Sequence, residues 1–482
     1  MRNSDDRMTA FGNRGRYMLA APTRGIQDVL PASAKDEGRI RNGADPNRSF
    51  LVHVKSRAPI LTTNRRWLVA IGGFIYAISM HKFAMRDPLS ANTGIQGIIE
   101  IFGMAGAFVC IFAATWETKR QHGISRVGIC FAVFGMFALA SSWRSWDATL
   151  SFVKGSLLLL VLATGYLSSQ AGLAQRYLRS IFYGYTALLV IGLLIGYFFP
   201  HLYSLISTDP YSGRTRLSVF DTFPGTLGED AALLILIAPL IRVRFGWILQ
   251  CFLFLMNIFA GGKTSTGLLC LLLLIRFLYG SRARRSWRIA LFIVGLGALW
   301  LLVLAGHGDL FSHAADSIYG TRVGTEASDL DGRINLWMAS LNLLKSTVFM
   351  GYGIDGTRDK IMEVAGWAGT SHNSYLQLAL SAGAVGSAFF LFGLFSVLRS
   401  CLRAAPPFRL HIALIIVFLM VNAVIGEILT APSYFGILIM LWLSYKAKAM
   451  LDVTAYREVC NSSEGRSSLI GRATNAGRKS QS

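Results

Sequence analysis

Along this chain the spacing of apolar residues changes once, near Trp67. The 66 residues up to that point are mostly polar and basic, with no apolar core longer than "YMLAA". Beyond it, apolar runs alternate with short polar connections, and about 20 apolar residues are what a helix needs to cross a bilayer. The pattern predicts spans near Trp67 to Ala84, Ile95 to Ala114, Val127 to Ala140, Phe152 to Leu167, Ile181 to Phe199 and Leu227 to Ile241. Six more follow near Phe245 to Ala260, Thr266 to Leu278, Ile289 to Ala305, Tyr375 to Leu398, Leu410 to Ile425 and Tyr434 to Tyr445. Several cores are shorter than a bilayer, so the helices extend past them by a turn or more. The expected fold is an all-α polytopic membrane protein of about twelve transmembrane helices, with one large loop between spans nine and ten.

The connections separate by charge. "ETKRQHGISR", "AQRYLRS", "RVR", "RFLYGSRARRSWR" and "RSCLRAAPPFR" are basic, whereas the intervening short connections hold chiefly Arg86, Arg144, Arg214, Arg216 and Lys263. Basic loops stay in the cytoplasm, which puts both tails there and sends Arg214, Arg216, Lys263 and the large loop 306–372 to the other side, the periplasm of a bacterium. The organisation read this way is a cytoplasmic tail over 1–66, a membrane domain over 67–446 and a second tail over 447–482, both tails polar, turn-rich and expected to be disordered.

Composition agrees with the pattern. A chain 53% hydrophobic and 15% charged is too apolar for a soluble globular protein. No cleavable signal peptide is visible in the polar N-terminal stretch. The net charge of +21 is dispersed through tails and loops rather than gathered on one domain, which speaks for membrane orientation and against nucleic acid. Six cysteines, most of them within apolar runs, give neither a disulfide framework nor metal-ligand spacing. No internal repeat is evident, which weakens a transporter built from inverted halves.

Charged and polar residues at the outer face carry the candidate chemistry. "GGKTST" ends like a phosphate-binding P-loop, but that loop needs a glycine where Asn257 stands and a strand before it. Lys263 is instead a charge at the turn of a transmembrane hairpin. In the large loop, Ile334, Trp337, Met338, Leu341 and Leu344 recur at helical spacing, predicting an amphipathic helix on the membrane face with Asp331 as its cap and Arg333 in its first turn. After "GYG", where glycines permit a tight turn, a second short helix "TRDKIMEVAG" leads to "GTSHNSYLQLALSAG". There Ser371 is expected to cap the tenth span, with His372 in its first turn. A helix N-terminus attracts phosphate and favours neutral imidazole, the form that accepts a proton. Each residue has a plainer reading: a polar helix start for His372, a solvated pair for Arg214 and Arg216, interfacial snorkelling for Lys263, and a surface charge answering Asp329 or Asp331 for Arg333. Glu427, at the outer end of the eleventh span, is an interfacial carboxylate or a second base. Taken together, several cations, one histidine and no dense acidic cluster suit an anionic, diphosphate-bearing substrate better than a metallohydrolase.

These motifs resemble the O-antigen ligase and bacterial polysaccharide polymerase superfamily. The likeness runs from "ASSWRSWDATLSFVKG" through "RTRLSVFDTFPGTLGE" and "GGKTSTGLL" to "DGRINLWMASL", "GYG" and "SHNSYLQLALSAG". "GGKTST" is closer to the Lys-Thr of exopolysaccharide polymerases than to the Ser-Arg usual in ligases, and "RLSVF" lacks the glycine common before its phenylalanine. The resemblance implies a C-type glycosyltransferase fold acting, without metal or other cofactor, on a glycan carried by undecaprenyl diphosphate. It implies that His372 activates the acceptor hydroxyl and that Arg216 and Arg333, with Arg214 beside them and Lys263 in place of the usual basic residue, grip the diphosphate. Expected partners are the lipid-linked donor, a glycan or lipid A core acceptor, membrane lipids and a chain-length regulator. The alternatives are a ligase that delivers the glycan to lipid A core and, in another class, a flippase of the same lipid-linked sugar, for which an intramembrane charge such as Glu100 could serve.

Overall fold

The computed structural model describes residues 63–81, 95–116, 125–201, 205–208, 215–220, 224–279, 326–347, 349–365, 369–404, 406–430 and 433–448. The expected ninth span, the first part of the large loop and most of both tails lie outside the described residues. Every other expected apolar run is a helix. In chain order these are α1 (Thr63–Met80), α2 (Ile95–Thr115), α3 (Arg126–Ala140), α4 (Ala148–Gln170), α5 (Ala174–Phe198), α6 (Pro224–Ile241), α7 (Gly246–Phe259) and α8 (Lys263–Tyr279). The large loop contributes α9 (Glu326–Lys345) and α10 (Arg358–Ala365), and the chain continues through α11 (Ser374–Leu402), α12 (Pro406–Ile425) and α13 (435–448). Among the described residues six helices are long and apolar enough to cross a membrane: α2 to α5, α11 and α12. The chain is thus a mostly helical membrane protein, with α7 and α8 as shorter apolar helices. Among the described residues there is also a pair of strands. Strands β1 (Ile206–Thr208) and β2 (Thr215–Leu217) form a small antiparallel hairpin, with Ser207 opposite Arg216.

Helices α1 and α2 pack on each other, α5 packs on α1, and α3 packs on α11. Phe131 and Phe134 of α3 meet Phe390 of α11 with ring centroids 5.2 Å apart. Within this apolar interior Glu100 of α2 and Lys154 of α4 form a buried ion pair, 4% and 5% exposed. The Lys154 carbonyl accepts a hydrogen bond from Tyr434 at 3.0 Å. An unpaired charge in such surroundings would be costly, so each of these residues requires the other.

The long helix α11 is broken at Gly383, whose φ of 69° and ψ of −173° no other residue adopts readily. A break inside an apolar bundle frees backbone carbonyls that must find donors. Here they find the loop "GYG": Tyr352 N–H donates to Leu380 O at 2.7 Å and Gly353 N–H to Ser381 O at 2.9 Å. A Cβ on Gly351 would overlap the Leu380 carbonyl, and one on Gly383 the backbone of Phe349 and Met350. Ser151 of α4 closes the other side by donating to Ile354 O at 2.6 Å. Gly351 therefore serves close backbone contact with the split helix and Gly353, at φ 80°, close contact with Ser142 and Ser151, beyond the tight turn expected from sequence.

One local expectation is corrected here. Helix α9 starts before Asp331, which consequently lies inside the helix and is not its cap. Leu336 is buried with Tyr352, Ile361 and Leu380, Trp337 and Leu344 pack against that cluster, and Ile334, Met338 and Leu341 are exposed.

Candidate functional site

The site is built where three helices begin. Helix α6 reaches it with Gly228, Glu229 and Asp230, α8 with Lys263, and α11 with the residues just before Ser374. Helix starts leave backbone N–H groups without intrahelical partners and carry a partial positive charge, so the beginnings of α8 and α11 each favour an anion.

Asn257 joins the first two. Its buried side chain donates from Nδ2 to Gly228 O at 2.6 Å, and its own carbonyl accepts from Thr266 Oγ1 at 3.4 Å. The residue standing in the way of a P-loop is thus the staple between α6 and the α7–α8 turn. That turn passes through Gly261 at φ 67° and Gly262, whose carbonyl takes the first bond of α8 from Thr266 N–H at 2.9 Å. Arg216 of β2 lies directly over it, since a Cβ on Gly261 would be 3.4 Å from Arg216 Cγ. The structure accordingly brings Arg216 to the turn from which Lys263 opens α8. Arg214 lies outside the described residues.

The start of α11 differs in detail from the expectation. Asn373 is the N-cap, accepting from Leu376 N–H at 3.1 Å, and Ser371 turns its hydroxyl to the Asn373 carbonyl at 2.9 Å. His372 precedes the cap instead of entering the first turn, and it sits in the left-handed region at φ 46°, uncommon for a residue with a side chain. Ser371 is displaced from the cap because its oxygen is held in this local turn.

A second segment, the turn after α12, is stitched to the first. Ser374 donates to Gly426 O from both N (3.1 Å) and Oγ (3.0 Å), and Leu429 N–H donates to Ser374 Oγ at 3.3 Å. Across this seam His372 Nδ1 lies 3.2 Å from Glu427 Oε1, both side chains 27% exposed. Thr370 Oγ1 donates to the same carboxylate oxygen.

Helix α6 meets this seam too. A Cβ on Gly426 would overlap Glu229 Oε1, and the charges acting on Glu229 are those of Asp230, Glu427 and Arg333. Arg333 of α9 therefore belongs to the same neighbourhood as His372. Arg358, in the first turn of α10, packs over Gly369 on the approach to Thr370, with a Cβ there 3.3 Å from its Nε. Glu229, Asp230, Asn257 and Arg358 were missed by sequence reasoning. For the two carboxylates a signal existed, because ionisable residues inside an apolar span are usually functional.

His372 thus has a carboxylate at its Nδ1, Arg333 shares its neighbourhood through Glu229, and Arg216 lies at the α7–α8 turn. Residues 248–391 match the family described as O-antigen ligase. The match contains Lys263, Arg333 and His372, and it supports the resemblance to the O-antigen ligase and polymerase superfamily. It likewise supports an enzyme role of the glycosyltransferase-like kind. Arg216, Glu229 and Glu427 fall on either side of the O-antigen ligase segment. No curated protein and no solved structure matches the chain.

Proposed function

We propose that the protein is a bacterial inner-membrane polysaccharide polymerase that transfers an undecaprenyl-diphosphate-linked glycan to a glycan acceptor at the periplasmic face. The observation that most supports this reading is His372 just before α11, 3.2 Å from Glu427 and inside the segment that matches the O-antigen ligase family. In the proposed reaction His372 takes the proton of an acceptor hydroxyl as its oxygen attacks the anomeric carbon. The bond from that carbon to the diphosphate breaks, and the lipid diphosphate leaves with its electron pair. Arg216, Arg333, Lys263 and Arg214 balance the charge of the leaving group, a task that fixed cations and helix starts perform in a site with little water. Charge asymmetry of the loops supports twelve spans with both tails cytoplasmic.

Delivery to lipid A core instead of a growing polymer is the same chemistry with a different acceptor. The Lys-Thr of "GGKTST" favours the polymerase. A flippase is disfavoured by the pairing of Glu100 with Lys154, which gives that intramembrane charge a structural partner.

The test is transfer in detergent by purified protein supplied with polyprenyl-diphosphate glycan and acceptor. An enzyme makes product without a second compartment. His372→Ala is expected to lower turnover about 10²- to 10⁴-fold at saturating donor, and His372→Gln nearly as much, since glutamine cannot collect the proton. Donor affinity should persist in both. Near-normal turnover of folded His372→Gln would remove the general base, and absence of product from the native protein would remove the transferase.

A further inference from the structure

We infer that Glu427 is the positioning residue for His372: it fixes the imidazole's tautomer and orientation and balances the charge that the ring acquires when it takes a proton. This rests on the transferase reading above. The two side chains come from segments separated by the whole of α11 and α12, yet Nδ1 and Oε1 lie 3.2 Å apart. A carboxylate accepts a hydrogen bond from Nδ1–H, and a ring protonated at Nδ1 has Nε2 as its proton-accepting nitrogen. The same carboxylate then faces an imidazolium after proton transfer, which is how an acid residue behind a catalytic histidine assists it.

Three features set this pair apart from a brace between helices. The seam is already closed by the bonds of Ser374 to Gly426 and of Leu429 to Ser374, so the pair is not needed to hold it. Glu427 is itself held by Thr370, as a residue that must present one oxygen in one direction would be. His372 is kept in a left-handed backbone conformation, flanked by the Ser371 turn and the Asn373 cap, and strain of that kind persists where the surroundings fix a residue's direction. Nearby, the Glu229 carboxyl and the Arg333 guanidinium share the neighbourhood.

The experiment uses full-length protein in detergent with lipid-diphosphate glycan and acceptor, and compares kcat, KM and directly measured donor affinity. Glu427→Gln is expected to lower kcat about 10²- to 10⁴-fold at unchanged donor affinity, the range commanded by acid–base groups and the carboxylates that orient them. Glu427→Asp should recover part of that loss. The double variant His372→Ala with Glu427→Gln should be no slower than His372→Ala alone, because a residue acting through the histidine has nothing left to act on. Thr370→Val serves as a gentler probe if Glu427→Gln folds poorly, with kcat about fivefold lower for the loss of one hydrogen bond. Additive losses in the double variant, or loss of donor affinity in step with kcat, would reduce Glu427 to a structural contact. Glu427→Gln within about twofold of native kcat, with His372→Ala still inactive, would overturn the inference and leave the transferase standing. No product from native protein would overturn both.

Discussion

Arg216 lies across Gly261, whose φ of 67° favours a residue without a side chain, and the next charged position, Lys263, starts a helix. Two cations at one helix start are placed for a phosphate. Lys263→Ala is therefore expected to weaken binding of the lipid-diphosphate donor, whereas Lys263→Arg keeps much of the activity. Both side chains neutralise phosphate, although arginine does so with a planar fork and lysine as a point charge. Titration of each variant with the donor checks this, and alanine with native affinity would make the lysine an interfacial anchor. At this scale the sequence was a good guide to residue types and a poor one to partners. His372, Arg216, Arg333 and Lys263 were visible as polar residues bordering apolar runs. The contact of His372 with Glu427 was not, because it depends on how α11 and α12 return to the same place. Asn373 replaced Ser371 as cap for a local reason: both can serve, and the serine hydroxyl is taken by the Asn373 carbonyl.

Broken helix α11 ties the large loop to the membrane domain. Its Gly383 has a backbone conformation costing a residue with a side chain about 1–3 kcal/mol, before any clash with Phe349 and Met350. Gly383→Ala should lower the thermal stability of the purified protein accordingly, and should reduce transfer even though the site is at the other end of the upper helix segment. Unfolding curves in detergent measure the first and product formation the second; native values in both would mean that the break is incidental. Helix positions themselves were readable, since apolar runs report directly on segments that leave water. The packing partners of α9 were not. Its periodicity revealed a helix, but the spacing did not pick out Leu336, which is buried with Tyr352, Ile361 and Leu380.

For the molecule as a whole, the buried pair Glu100–Lys154 offers a test of architecture apart from catalysis. Glu100→Gln leaves an ammonium group in the interior without its carboxylate, and is expected to cost about 3–5 kcal/mol. Replacing both, Glu100→Leu with Lys154→Met, should restore stability to near the native value or above it. Chemical denaturation of the purified variants gives both numbers, and full transfer activity in the double variant would tell against any transport role for Glu100. The class of the molecule was evident from its apolar runs, while its site was dispersed through the chain. Arg216, Glu229, Lys263, Arg333, His372 and Glu427 lie in that order along almost half its length, and the last of them follows α12. This has a bearing on biosynthesis. A membrane protein is inserted in chain order, so a nascent chain already carrying His372 and every residue of the O-antigen ligase segment has yet to receive Glu427. If Glu427 acts on His372 as proposed, a gene truncated shortly after Leu402 would leave a chain that carries the histidine but lacks the carboxylate beside it.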